Sequence, residues 1–94
     1  MFKTNEYFDG NVKSIAFQTA DGPATVGVMA PGEYEFKTAA IEYMTVVAGK
    51  MRVQLPGEQD WKEFTPFNTF VIDKGQTFRL LIEADAAYIC LYRD

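Results

Sequence analysis

Polar and apolar residues alternate with a period of two along most of this chain, and that period predicts β-strands. Ser14–Thr19 alternates with Ile15 and Phe17 on one face, and Thr25–Ala30 does so with Val26 and Val28. Glu33–Thr38 points Tyr34, Phe36 and Thr38 the same way. Ile41–Val47 follows, and Ala48-Gly49-Lys50 predicts a tight hairpin into Met51, Val53 and Leu55. Trp61–Phe64, Thr69–Ile72, a strand carrying Phe78, Leu80 and Ile82, and Ala87–Tyr92 complete the set. Turn chemistry separates them at Asp21-Gly22-Pro23, Pro31-Gly32, Pro56-Gly57 and Asp73-Lys74-Gly75. No segment sustains the 3.6-residue apolar stripe of a helix. Short strands punctuated in this way predict an all-β sandwich or barrel. No linker, repeat or low-complexity tract divides the chain, so residues 1–94 are expected to form one domain.

Composition narrows the function classes. The chain is 48% hydrophobic and 15% aromatic, which suits a small barrel filled with large side chains. Its net charge of −4 argues against a nucleic-acid binder, which would present a basic face. No apolar run approaches the ~20 residues of a membrane span, and no signal peptide is read at the N-terminus. One cysteine, Cys90, excludes an intrachain disulfide and suits a reducing compartment, so a cytoplasmic location is expected. Cys90 has no histidine to activate it, which makes thiol catalysis an improbable use of it.

The stretch from Gly32 to Gly49 resembles the first metal-binding motif of the cupins: a glycine, a His-x-His pair, a glutamate and a closing glycine. Glu42 and Gly49 stand at its last two positions, which sets Phe36 and Thr38 at the two histidine positions. The second cupin motif, aligned on Gly75, sets Phe67 at its first glycine, Asp73 at its proline and Phe78 at its histidine. The chain contains no histidine at all. Imidazole is the usual nitrogen ligand for zinc, copper or iron. One carboxylate without imidazole is a poor transition-metal site, so neither a metal nor another cofactor is expected.

A narrower resemblance spans nearly the whole chain. Asn5-Glu6-Tyr7-Phe8, Val12-Lys13-Ser14-Ile15, Val26-Gly27-Val28-Met29, Gly32-Glu33-Tyr34 with Phe36, Thr38-Ala39, Glu42, Met44-Thr45-Val46, Gly49 and Leu55-Pro56 resemble the small cupin-fold pyrimidine/purine nucleoside phosphorylases. The resemblance implies a cupin-type, jelly-roll antiparallel barrel. It also implies a pentosyltransferase that splits diverse nucleosides with inorganic phosphate into free base and ribose 1-phosphate, without a metal. The chain has Phe67, Asp73 and Lys74 where that pattern has Gly, Pro and Gly.

In the cupin register, alternation turns Phe36, Thr38, Glu42, Met44 and Phe78 into the barrel around the usual metal position. Phosphorolysis needs a base platform, phosphate donors and stabilisation of positive charge on the ribose. Glu42 suits the last role, since nearby carboxylates lower the barrier to oxocarbenium-like states. Its bland alternative is a carboxylate bonded to backbone amides at a strand start. Thr38 offers a hydroxyl to phosphate or ribose, or is simply a strand-forming residue. Phe36 and Phe78 either sandwich a base or fill the core. Tyr34, Tyr43, Tyr88 and Tyr92 offer phenolic hydroxyls between which the sequence does not choose. Arg79 and Arg52 are the phosphate candidates, because arginine matches phosphate bidentately, yet alternation puts both on an outer face. An inward Glu42 and Thr38 favour an enzyme, or a metal-free cupin that binds a small ligand without chemistry, over a purely structural subunit. Outward Tyr43, Thr45 and Val47 leave an apolar strip that predicts a homodimer.

Overall fold

The computed structural model describes all 94 residues, and every regular element in it is a strand. In chain order these are β1 (Lys3–Tyr7), β2 (Val12–Thr19), β3 (Gly22–Met29), β4 (Gly32–Lys37), β5 (Ile41–Ala48), β6 (Met51–Gln54), β7 (Trp61–Phe64), β8 (Thr69–Ile72), β9 (Thr77–Ile82) and β10 (Ala86–Arg93). All pairings are antiparallel. One sheet has six strands in the order β1-β2-β3-β10-β5-β8; the other has four, β4-β9-β6-β7. The shared core of the jelly roll is β3-β10-β5-β8 facing β4-β9-β6-β7, with β1 and β2 added beyond β3. The two sheets face each other and are not joined by backbone pairing into a closed barrel.

One expectation about a connection needs correction. Ala48-Gly49-Lys50 is not a hairpin: β5 and β6 belong to different sheets, and the glycine turns the chain from one to the other. Gly49 has φ 73°, and a Cβ there would sit 2.8 Å from the Asp85 carbonyl oxygen, so only glycine passes this corner without displacement. Asp73-Lys74-Gly75 likewise carries β8 in one sheet to β9 in the other. The true hairpins are β1–β2, β2–β3 and β6–β7. Strand β1 also lies outside the pattern read above, because Lys-Thr-Asn-Glu-Tyr shows no apolar alternation.

The core sits between the sheets. Met29, Met44, Val46, Phe70 and Tyr88 of the larger sheet meet Tyr34, Val53, Phe78, Leu80 and Ile82 of the smaller one. Each such side chain contributes on the order of 1.5–3 kcal/mol through burial. The inner faces of β2 and β3 are Val12 and Ser14, and Thr25, Gly27 and Met29. Ile15, Val26 and Val28 therefore turn outward.

Candidate functional site

Four of the residues singled out in the sequence meet at one small cavity between the sheets. Phe36, Glu42, Met44 and Phe78 line it together with Met29, Tyr88 and Cys90. Alternation on β5 brings Glu42 and Met44 inward, and alternation on β10 does the same for Tyr88 and Cys90. Tyr92 continues that inward row and pairs in register with Glu42. Met29 and Cys90 are not among the sequence candidates, and Tyr88 is one of four tyrosines between which the sequence does not choose. The available signal was parity: on β10, Tyr88, Cys90 and Tyr92 share one face.

Glu42 is half-buried and takes a hydrogen bond from Cys90 Sγ at 3.6 Å. No lysine or arginine forms an ion pair with it, and no group of three His, Cys, Asp or Glu side chains converges there or elsewhere. Burial raises its pKa above the ordinary 4.5, while the thiol hydrogen bond pulls it back down. Burial, reinforced by the Glu42 charge, pushes the Cys90 thiol well up, so it stays protonated and serves as the donor. Around this pair stand two buried phenols. Burial pushes Tyr88 up to about 12. The Tyr92 and Thr25 hydroxyls are 3.0 Å apart. The Tyr88 ring requires Gly27 opposite it: a Cβ there would lie 2.7 Å from the phenol oxygen and 2.7 Å from the Lys13 carbonyl.

The remaining candidates lie elsewhere. The Thr38 hydroxyl is buried and engaged, donating to the Asp73 carbonyl at 2.6 Å and accepting from the Gln76 amide at 3.0 Å. It fastens the end of β4 to the β8–β9 turn. Tyr34 donates its hydroxyl to the Ala30 carbonyl at 2.7 Å, beneath Gly32. Arg79 pairs with Glu35 at 3.0 Å and Arg52 with Glu83 at 3.9 Å, both on the outer side of the four-stranded sheet. The structure does not bring these four to the cavity. Phe36 and Phe78 stack at 6.0 Å and 30°, in contact with each other. A base between them would need about 7 Å, twice a van der Waals separation, so of the two readings the ring contact favours core filling.

Outside the cavity, Phe36 meets two more aromatic rings, from the end of β1 and the turn that follows it. Tyr7 lies 6.0 Å away at 89°, and Phe8 lies 5.5 Å away at 88°. Phe8 also touches Tyr34 at 5.0 Å.

Comparison with known proteins agrees with this architecture. The model of a family described as pyrimidine/purine nucleoside phosphorylase matches residues 2–92. A protein of Pseudomonas entomophila bearing that same name is 56% identical over 94 residues, covering all of both chains. Among solved structures, a Vibrio parahaemolyticus protein of unknown function superposes with a TM-score of 0.92 at 41% identity, covering 96% of each chain. FeII HppE superposes at 0.78 with 8% identity, over 98% of this chain and 56% of that one, a likeness of fold alone. The fold is the all-β cupin type expected from the two half-motifs.

Proposed function

The chain belongs to the pyrimidine/purine nucleoside phosphorylase family, and from that premise we propose that it is a pentosyltransferase acting on purine and pyrimidine nucleosides with inorganic phosphate. The products are the free base and ribose 1-phosphate. The supporting observation is Glu42: a partly desolvated carboxylate, without a cationic partner, beside an aromatic and thioether cavity. As the bond from ribose to base breaks, its electron pair leaves with the base nitrogen, a phosphate oxygen bonds to the ribose carbon, and the proton that the phosphate gives up ends on the base nitrogen. Positive charge appears on the ribose only near the transition state. A carboxylate facing it there acts where charge develops and not on the ground state. No step needs a metal. Arg52 and Arg79 are each held by a carboxylate and face away from Glu42, which favours their reading as solvated strand-face residues. The test is incubation with inosine or uridine and phosphate, with chromatography for base and ribose 1-phosphate. Release of both supports the reading; nucleoside binding without release would make this a binding protein.

The acting form is a homodimer in the cytoplasm. The outer face of the six-stranded sheet carries Ile15, Val26, Val28, Tyr43, Val47 and Val71 in contact with water, an exposed apolar patch of the kind that marks an interaction surface. One buried thiol and no disulfide suit a reducing compartment.

A further inference from the structure

We propose that Tyr7 and Phe8, at the end of β1 and in the turn that follows it, form the wall that positions the nucleobase, which stacks on the flank of Phe36 at the seam between β1 and β4. The proposal rests on the reading of nucleosides as the ligand and adds where the base is held.

Space is the first argument. The cavity beside Glu42 measures about 50 Å³. That is room for one or two waters, at ~30 Å³ each, whereas small-molecule sites run to ~300–1,000 Å³. Phe78 already occupies one neighbouring side of Phe36. Tyr7 and Phe8 meet Phe36 edge-on, and both are half-exposed, at 46% and 45%. A base reaching Phe36 from solvent meets these two rings first.

The seam is built to part. β1 and β4 are edge strands of different sheets, and no backbone pairing joins them. Aromatic contacts bridge this edge, so widening it breaks no ladder hydrogen bond. The opposite seam, between β7 and β8, is bridged by Phe64 against Phe70, and Phe70 is buried in the core.

Backbone geometry is the third argument. Consecutive residues of a strand point to opposite faces, so Tyr7 and Phe8 would not normally both reach Phe36. Phe8 and Asp9 have φ 54° and 57°, a left-handed conformation that a bulky residue such as phenylalanine rarely adopts. It breaks the alternation and brings two adjacent aromatic rings to one partner. The turn is fixed by Gly10 N donating to the Tyr7 carbonyl at 3.2 Å and Asn11 N to the Phe8 carbonyl at 3.1 Å. Stacking requires only a π-face, so such a wall accepts purines and pyrimidines alike.

The test compares kcat and KM for inosine and uridine in Tyr7→Leu, Phe8→Leu, Tyr7→Phe and Phe8→Tyr. Leucine keeps apolar bulk and removes the π-face; the aromatic swaps keep both. The leucine variants should raise nucleoside KM by about 5- to 100-fold, the range expected for one lost stacking contact, with KM for phosphate within about twofold. The aromatic swaps should restore it. Nucleoside KM within twofold of wild type in both leucine variants would overturn the proposal. A second measurement separates this inference from the enzymatic reading: carbon-13 resonances of the Tyr7 and Phe8 rings, followed as inosine is added to the wild-type protein. Shifted rings without base release leave the wall standing and remove the phosphorolysis. Unshifted rings overturn the wall whatever the activity.

Discussion

Glu42 is held in the folded state at a disadvantage, and this gives it a signature in pH. Its folded pKa lies above 4.5, because burial disfavours the charged form more than the Cys90 thiol favours it. Between pH 4.5 and the raised value, the folded chain holds a proton that the unfolded chain has lost. Stability therefore falls as pH rises through that window, and the loss is complete above it. Glu42→Gln removes the titration. Its melting temperature at neutral pH should equal or exceed that of wild type, and the decline with pH across the window should flatten. Its kcat should drop by about 10²–10³, the usual effect of losing one electrostatic group at a transition state, with little change in KM. Normal turnover in a stable Glu42→Gln variant would make the carboxylate structural. The thiol offers a finer check. Cys90→Ala removes the hydrogen bond that lowers the Glu42 pKa, so the acid limb of the pH–rate profile should move to higher pH. An acid limb that stays in place would mean the contact does not tune the carboxylate.

Corners between the sheets, more than the strands themselves, determine which of these side chains meet. Phe67 shows how strictly a corner is imposed. It sits where the second cupin motif has a glycine, and it has φ 73° while its ring is 80% exposed. Its amide donates to the Val46 carbonyl, tying the β7–β8 connection onto β5. The left-handed conformation disfavours a phenylalanine by ~1–2 kcal/mol, and glycine gives back ~0.5–1 through its freer unfolded chain. Phe67→Gly should therefore stabilise the fold by roughly 0.5–1 kcal/mol, read as a higher urea midpoint at unchanged slope. A lower midpoint would show that the exposed ring has a partner. The same position explains what the sequence made legible. Period-two alternation located nine of the ten strands, and the half-motifs placed Phe36, Glu42, Met44 and Phe78 at one cavity. Alternation reports which face a side chain occupies, but not which sheet its strand joins. Gly49 was therefore misread as a hairpin residue when it is a crossing between sheets. The bonding of Thr38 is hidden for a related reason: its partners, Asp73 and Gln76, lie on a turn distant in sequence. Tyr7 and Phe8 escaped notice because β1 lacks apolar periodicity and the break in alternation at Phe8 is a backbone property.

Register across the large sheet turns scattered apolar residues into a continuous surface. Ile15 pairs with Val26, Val26 with Ile89, Ile89 with Thr45, and Thr45 with Thr69, making one row across five strands. Phe17, Ala24, Leu91, Tyr43 and Val71 make the next row in the same way. Neither row contains a charge. A groove of about 360 Å³ lies beside them, where Ile15, Val26, Val28 and Ala87 are flanked by Lys13, Thr4 and Ser14. Six strands at ~4.8 Å spacing span about 24 Å, and an eight-residue strand about 26 Å, giving a face of roughly 600 Å². Each partner in a standard interface contributes ~800 Å², so two copies joined through this face, at about 1,200 Å² in total, come to the lower end of that class. The arrangement is consistent with the chemistry proposed here. A dimer formed this way would cover the outer side of the sheet that carries Glu42 and Cys90 and leave the β1–β4 seam, between the sheets, open to solvent. A charge placed within the first row must be desolvated on association without a partner, at a penalty of several kcal/mol per ion. Wild type should sediment as a dimer at micromolar concentration, with a melting temperature that rises with protein concentration. Val26→Lys should sediment as a folded monomer whose melting temperature is lower and independent of concentration. A wild-type monomer under these conditions would leave the two apolar rows without the partner argued for them.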